Sequence, residues 1–208
     1  MLQVWDSITT VLRFLTALFL VSVLSPLPDT SGDANPELRA MLSRIEGPTS
    51  LVVWKSQYSL TLFKGSSPVK TYWAVFGKGY GDGDKERSGD MRTPEGDFYI
   101  CSMYQSKRFY KFLGLSYPGL KHAAQGLQRG VITPREYEEI EQAYRERRQP
   151  AWDTRLGGAI GIHGRMLEDP AVWAMRQNWT DGCIALANTD MDELFSIVSL
   201  GTPVTIIP

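Results

Sequence analysis

The sequence predicts a mainly β fold with an α-helical insertion, of the α+β class. Three observations predict it. Short β-branched and aromatic runs are separated by turn residues, one stretch of helical periodicity lies between about Gln105 and Leu156, and the length of 208 residues suits one domain. At 43% hydrophobic and 22% charged, with a formal net charge of −1, the composition is that of an ordinary globular protein. Such a balance has no general attraction for a phosphate backbone, and no local basic patch replaces it, which excludes a nucleic-acid partner. The chain has two cysteines and two histidines. Cys101 and Cys183 are far apart with no C-x-x-C spacing, which excludes a structural zinc cluster and any other metal site of that kind.

Taken in chain order, Ile8 to Leu27 is apolar but for Arg13 and a few hydroxyls. The uninterrupted run Phe14 to Leu24 has the length of a signal-peptide core and is too short to span a bilayer unaided. Counted from Ile8, it makes a membrane anchor if Arg13 snorkels to the interface. A buried amphipathic helix would need a polar face that these residues lack. Residues 1–27 therefore read as an export signal, cleaved or retained as an anchor, which places the remainder in the periplasm or another extracytoplasmic space. Residues 28–48 read as a Pro, Gly, Ser and Asp-rich linker followed by a short helix over Glu37 to Ile45, with Leu38, Met41, Leu42 and Ile45 at helical spacing.

The domain proper then occupies residues 49–208. Leu51 to Trp54, Ser59 to Phe63 and Val69 to Phe76 are strand-like, with a hairpin turn at Lys64 to Pro68. The Gly-rich, acidic loop Gly77 to Asp84 fails as a dinucleotide fingerprint because no helix opens after it. It fails as a calcium loop because the bidentate Glu is missing, so it reads as a flexible surface loop bordering a cleft. Phe98 to Cys101 is a further strand after the Thr93 to Gly96 turn. Within the helical insertion, about 105–156, Thr133-Pro134-Arg135-Glu136 is a capping-box signature. Acids lead that helix and Arg145, Arg147 and Arg148 trail it, which suits the helix dipole and makes a solvated face. Strands at Ala159 to Ile162, Cys183 to Leu186 and Pro203 to Ile207 complete the set. A last helix is capped by Asn188 or Thr189 and closed by Gly201.

The residues able to do chemistry are His163 and Cys183. Gly161 and Gly164 remove the local side-chain wall around His163, so the ring reads as presented rather than buried. Cys183 follows the polar turn Thr180-Asp181-Gly182, where the N–H groups of Gly182 and Cys183 can converge on an oxyanion. A thiol at neutral pH needs a base, a cation or dipoles before it becomes a nucleophile, and His163 is the available base. The Gly164 carbonyl is placed to orient the other ring nitrogen. The same residues also fit a small buried cysteine and a loop histidine, or a disulfide between Cys183 and Cys101, although Cys101 reads as strand core. His122 falls on the helical insertion.

The run Ile162-His163-Gly164 followed by Thr180-x-Gly182-Cys183 resembles the catalytic signature of L,D-transpeptidases of the YkuD type. Thr93 to Ile100 and Gly201 to Ile206 resemble further strands of that family, so the likeness extends over about residues 50 to 208. The resemblance implies a YkuD-like β-sandwich with the catalytic cysteine in a cleft and a thioacyl-enzyme formed on peptidoglycan stem peptides that contain a diamino acid. It makes Cys183 the nucleophile, His163 the base, Gly164 the orienting carbonyl and Gly182 an oxyanion donor, with no cofactor. Transpeptidation is the first activity it implies. Hydrolysis as an L,D-carboxypeptidase or amidase, including release of a wall-linked protein, and an inactive wall-binding module are the alternatives. Family members often carry His before the Gly-Cys pair and Arg or Asn two residues after the cysteine, where this chain has Asp181 and Ala185. Thr180 and Arg165 are then the candidate substrate contacts. Phe112 to Pro118 is similar to an insertion in a branch that includes a murein-lipoprotein-detaching enzyme, which implies that Ser116 and Tyr117 line the cleft. The oligomeric state is left open.

Overall fold

The computed structural model describes residues 35–164 and 177–208. The export segment expected over 1–27, most of the linker and Arg165 lie outside the described residues. Helix α1 (Pro36–Arg44) begins with Asn35 accepting from the Glu37 N–H and has Pro at its first position. Among the described residues no helix is long and apolar enough to cross a membrane.

Eight strands follow: β1 (Thr49–Trp54), β2 (Ser59–Lys64), β3 (Ser67–Trp73), β4 (Gly96–Ser106), β5 (Tyr110–Leu115), β6 (Gly161–His163), β7 (Ile184–Ala185) and β8 (Pro203–Ile207). They form one mixed series in the order β3-β2-β1-β8-β4-β5-β6-β7. The β1–β8 and β6–β7 pairs are parallel and the rest antiparallel. Just after β3, Val75 and Gly77 bridge to Ala185 and Thr180, so the chain leaving one edge strand meets the other edge at β7. The sheet thereby folds over a single apolar core, the layered arrangement expected. Alternation sets which side chains enter that core: Leu51 and Val53 of β1, and Leu60 and Leu62 of β2, are all buried. Ile100, Leu113, Ile162, Ile184 and Leu194 fill the same core.

The expected insertion starts too early. Residues 105 and 106 finish β4, and β5 follows, because Gln105 and Phe112 pair in a hairpin ladder with Lys111 and Tyr104. Helices begin only at α2 (Leu120–Gln128) and α3 (Pro134–Arg145), which share a small core of Ala123, Ile132, Ile140 and Leu156. The capping box is present, with Glu136 N–H donating to Thr133 Oγ1 (3.2 Å) and Thr133 N–H to Glu136 Oε2 (2.7 Å). Helix α4 (Asn188–Ile197) starts after Ala187, so its N-cap position is an alanine rather than the Asn188 or Thr189 expected there. Cys101 is in a strand but only half-buried: Ile100 pairs with Leu115 and Ser102 with Gly114, which leaves Cys101 as the extra residue of a bulge.

The Gly-rich loop is exposed over residues 81–83, as a surface loop should be, and is pinned at both ends. A Cβ on Gly77 would lie 2.1 Å from Met91 O and 3.0 Å from Gly182 Cα, so two backbones pass where only glycine fits. At its far end the Asp84 carboxylate accepts from the N–H groups of Lys85 (2.8 Å) and Glu95 (2.7 Å) and from His122 Nε2 (3.0 Å), and pairs with Lys121 (2.7 Å). The next residue, Lys85, has its Nζ 2.6 Å from Asp90, with both side chains buried. Asp90 also accepts from the N–H groups of Glu86, Arg87 and Arg92.

Candidate active site

His163 ends the three-residue strand β6, with Phe112 of β5 as its partner on one side and Ala185 of β7 on the other. Cys183 lies two residues before Ala185, so it shares the His163 face of this parallel pair, one diagonal step away. Its sulfur faces the Ala159 carbonyl at 3.6 Å.

Each group is held by backbone rather than by charge. His163 Nδ1 donates to Gly164 O at 2.7 Å, which leaves the lone pair on Nε2, because a carbonyl only accepts. Gly164 has no room for a side chain: a Cβ there would lie 2.5 Å from Asn188 Oδ1 and 3.1 Å from Tyr110 Cβ. In the cysteine turn, Thr180 Oγ1 donates to Cys183 O (2.6 Å) and accepts from Gly182 N (3.2 Å). Thr180 and Lys78 also bond the segment after β3 through Thr180 N to Phe76 O (3.2 Å) and Lys78 N to Thr180 O (2.9 Å). Gly182 adopts φ +129°, and its missing Cβ would stand 2.7 Å from Arg92 O. The segment from Gly77 to Arg92 thus forms the back wall of the turn that carries Cys183.

His163 is buried, at 1% exposure, which corrects the expectation that its glycine neighbours leave it presented. The wall comes from elsewhere in the chain. Phe109, in the β4–β5 turn, lies 4.4 Å from the imidazole centroid, Phe112 stacks at 6.2 Å, and Trp179 meets the ring edge-on at 5.7 Å. This burial pushes the His163 pKa down to about 4, with Arg108 adding to the effect and the Gly164 carbonyl opposing it. Burial likewise pushes the Cys183 thiol up to about 11; the Gly161 N–H works against it and the Asp181 carboxylate with it. At neutral pH both groups are therefore uncharged at rest. Cys101 and Cys183 are both free thiols.

A cavity of about 390 Å³ opens over these groups, lined by His163, Cys183, Thr180, Phe109, Trp179 and Arg108. Lys78 and Asp181 also reach it, and they pair with each other at 3.1 Å. Thr180 thus meets the cavity but also braces the turn. The Gly182 N–H, expected as an oxyanion donor, is engaged by Thr180 Oγ1 in this resting arrangement. Ser116 and Tyr117 do not line the cavity, which corrects their reading as cleft residues. Both are fully buried, because their hydroxyls are used in packing the insertion. Ser116 Oγ accepts from Tyr99 N (3.0 Å), and Tyr117 OH donates to Leu156 O (3.1 Å). Phe109, Arg108 and Trp179 are the site residues that sequence reasoning missed. Among the described residues no group of three or more His, Cys, Asp or Glu is placed to hold a metal ion.

A family model of the L,D-transpeptidase catalytic domain, YkuD, matches residues 48–206. No curated protein sequence matches the chain. Among solved structures, the helical cell shape determining protein Pgp2 from Campylobacter jejuni superposes with a TM-score of 0.52 at 18% identity, covering 81% of this chain and 54% of that one. Bd1075 from Bdellovibrio bacteriovorus gives 0.50 at 18% identity, covering 78% and 48%. The L,D-transpeptidase from Xylanimonas cellulosilytica gives 0.47 at 15% identity, covering 83% and 70%. The chain spans about half the length of the first two, and at such identities the likeness is one of fold. With the family match extending over most of the chain and its described residues folded as that match requires, the protein belongs to the YkuD family of L,D-transpeptidase catalytic domains.

Proposed function

We propose that this chain is an extracytoplasmic L,D-transpeptidase that acts on peptidoglycan stem peptides through a thioacyl-enzyme on Cys183. The observation that carries the reading is a histidine whose tautomer is fixed by Gly164 O (2.7 Å), lining one cavity with a free cysteine on the same face of the sheet. Both groups start neutral, so the thiolate forms only as it is used. Cys183 Sγ attacks the amide carbonyl that follows the L-centre of the diamino acid, while its proton passes to His163 Nε2. The resulting imidazolium gives that proton to the departing amine, leaving a thioester. An amine of a neighbouring stem then attacks the thioester, loses its proton to His163 and regenerates the thiol.

The oxyanion formed at each step is a stronger acceptor than a neutral hydroxyl. The Gly182 N–H, now on Thr180 Oγ1, would exchange that partner for the developing charge. Export by residues 1–27 would bring the domain to its substrate.

The test is the product spectrum of purified protein with defined muropeptides, read by mass spectrometry with and without an amine acceptor. Wild type is expected to give acceptor-dependent crosslinks and a thioester adduct on Cys183, and Cys183→Ala to give neither. Unchanged products from Cys183→Ala would overturn the reading. Products of hydrolysis alone, in the presence of acceptor, would replace transpeptidation by carboxypeptidase or amidase activity.

A further inference from the structure

Among the described residues Arg108 and Lys78 are the cations that line the cavity. Lys78 has its counter-ion, Asp181, at 3.1 Å. Among the described residues no carboxylate pairs with Arg108, so of these two cations it is the one without a counter-ion.

Its placement is built rather than incidental. Ser106 Oγ accepts from the N–H groups of Arg108 (3.3 Å) and Phe109 (3.0 Å), which fixes the turn between β4 and β5. The guanidinium lies over the Phe109 ring, 4.9 Å from its centroid, and that ring lies 4.4 Å from the His163 imidazole. Stacking on an aromatic face leaves the planar edge of the guanidinium, with its paired N–H donors, free for a ligand. The charge is felt at the reacting groups, since it lowers the pKa of both His163 and Cys183. Position 185, two residues after the nucleophile, cannot supply this charge, because Ala185 is fully buried and bonded on both sides of its peptide to Val75.

We propose that Arg108 forms a carboxylate subsite of the active-site cavity, gripping a free carboxylate of the peptide substrate beside the scissile amide. The proposal rests on the transpeptidase reading for the identity of the peptide, though not for the chemistry of the contact. A planar fork of N–H donors matches a carboxylate in two parallel hydrogen bonds. Binding there would seat the scissile carbonyl over Cys183 and offset the Arg108 charge, which adds to the effect of burial on His163.

The experiment compares three stem peptides on the full chain: the free acid, an analogue amidated on the acyl-donor side of the scissile bond, and one amidated on the leaving-group side. Wild type should lose about 10–100-fold in kcat/KM on one of the two amides, the range of a charge-assisted hydrogen-bond pair. That amide identifies which carboxylate is gripped. Arg108→Gln should remove the gap by slowing only the free acid and the other amide, and Arg108→Lys should restore part of it. An exposed turn residue of this kind leaves folding intact, which thermal melts of both variants check. No gap in wild type, a gap that survives in Arg108→Gln, or an equal loss on all three peptides would each overturn the subsite.

Failure of the transpeptidase reading looks different: wild type turns over none of the peptides, or Cys183→Ala matches it. Calorimetric binding of the same peptides to wild type and Arg108→Gln then decides the subsite alone. A carboxylate preference that the substitution abolishes supports it, and equal affinities overturn it.

Discussion

The surroundings of the two histidines differ in one respect that matters. His163 and His122 are both buried, at 1% and 3% exposure. Both lie against aromatic rings, Phe109, Phe112 and Trp179 in the first case and Phe98 and Tyr117 in the second. What separates them is the charge of the partner. His163 turns Nδ1 to a neutral carbonyl, which orients the ring without holding a proton on it. His122 turns Nε2 to Asp84, a carboxylate that also collects Lys121 and two backbone N–H groups. Burial alone would raise the Asp84 pKa, but the hydrogen bonds from His122 and Lys121 override it and hold the carboxyl well below the usual range. Either partner can orient an imidazole base, but His163 lines the cavity with Cys183, whereas His122 is not among the lining residues and ties into the Asp84–Lys121 strut. Burial by itself does not distinguish the reactive histidine from the structural one.

The sharpest way to break that comparison is to remove each ring. His163→Ala should lower kcat by about 10²–10⁴-fold, the usual worth of a positioned general base, and also lower the melting temperature, because a buried ring is removed. His122→Ala should leave kcat within about threefold of wild type yet cost about 2–4 kcal/mol of stability, because it strands part of a buried ionic network. Steady-state kinetics and urea unfolding of the two purified variants separate these outcomes. If His122→Ala lost activity as His163→Ala does, with stability intact, the strut would be a catalytic group.

A second and smaller effect lies in pH dependence. His163 is neutral above about pH 4 and Cys183 protonated below about 11, so kcat/KM should be flat from about pH 5 to 9. A resting thiolate–imidazolium pair would instead put an acid limb inside that window. The same burial carries a stability signature. The folded pKa of His163 lies below its ordinary value of 6.5, so as pH falls the unfolded chain takes up the proton first. Its contribution is complete above pH 6.5, is lost as pH falls toward 4, and amounts to on the order of 3 kcal/mol. Asp84 and Asp90, both held low, lose their contributions only below the ordinary carboxylate range. Urea midpoints measured against pH should therefore show a slope between pH 6.5 and 4 in wild type that His163→Gln flattens.

The proposed catalytic pair was legible in the sequence because the determinants of its geometry are local. Gly164 follows His163 directly, and Thr180 to Cys183 is a four-residue turn whose hydroxyl and glycine serve the neighbouring backbone. Phe109 and Arg108 were not legible. They reach His163 only because β5 pairs antiparallel with β6, and nothing near position 108 encodes that pairing. The same non-local pairing misplaced the start of the insertion, since β4 and β5 are strands by virtue of each other. Ser116 and Tyr117 misled for a different reason. Their place in the cleft was implied by the likeness of Phe112 to Pro118 to a family insertion, and such a likeness says nothing of their bonds, which run to Tyr99 and Leu156 in the packing beneath helices α2 and α3. The buried pair Lys85–Asp90 was hidden inside a loop whose composition reads as solvent-exposed.

The smallest expected effect tests whether the helical insertion is independent of the chemistry. Thr133 caps α3 by accepting from the Glu136 N–H, and Glu136 answers by accepting from the Thr133 N–H, which holds its carboxyl below the usual range. Thr133 is exposed and Glu136 half-buried, and neither lines the cavity. Thr133→Ala removes the hydroxyl that accepts from the Glu136 N–H, leaves the Thr133 N–H bonded to Glu136, and should cost about 1 kcal/mol. The helix it caps packs on α2, which carries His122, so some of that loss should reach the Asp84 strut as weaker hydrogen-exchange protection at Lys85 and Glu95. Turnover should stay at the wild-type level, because the bonds that orient His163 and Cys183 arise from Gly164, Thr180 and the pinned loop rather than from the insertion. A drop in kcat with Thr133→Ala would mean that the strut and the active site share one cooperative unit, and that the two histidines differ less than their partners imply.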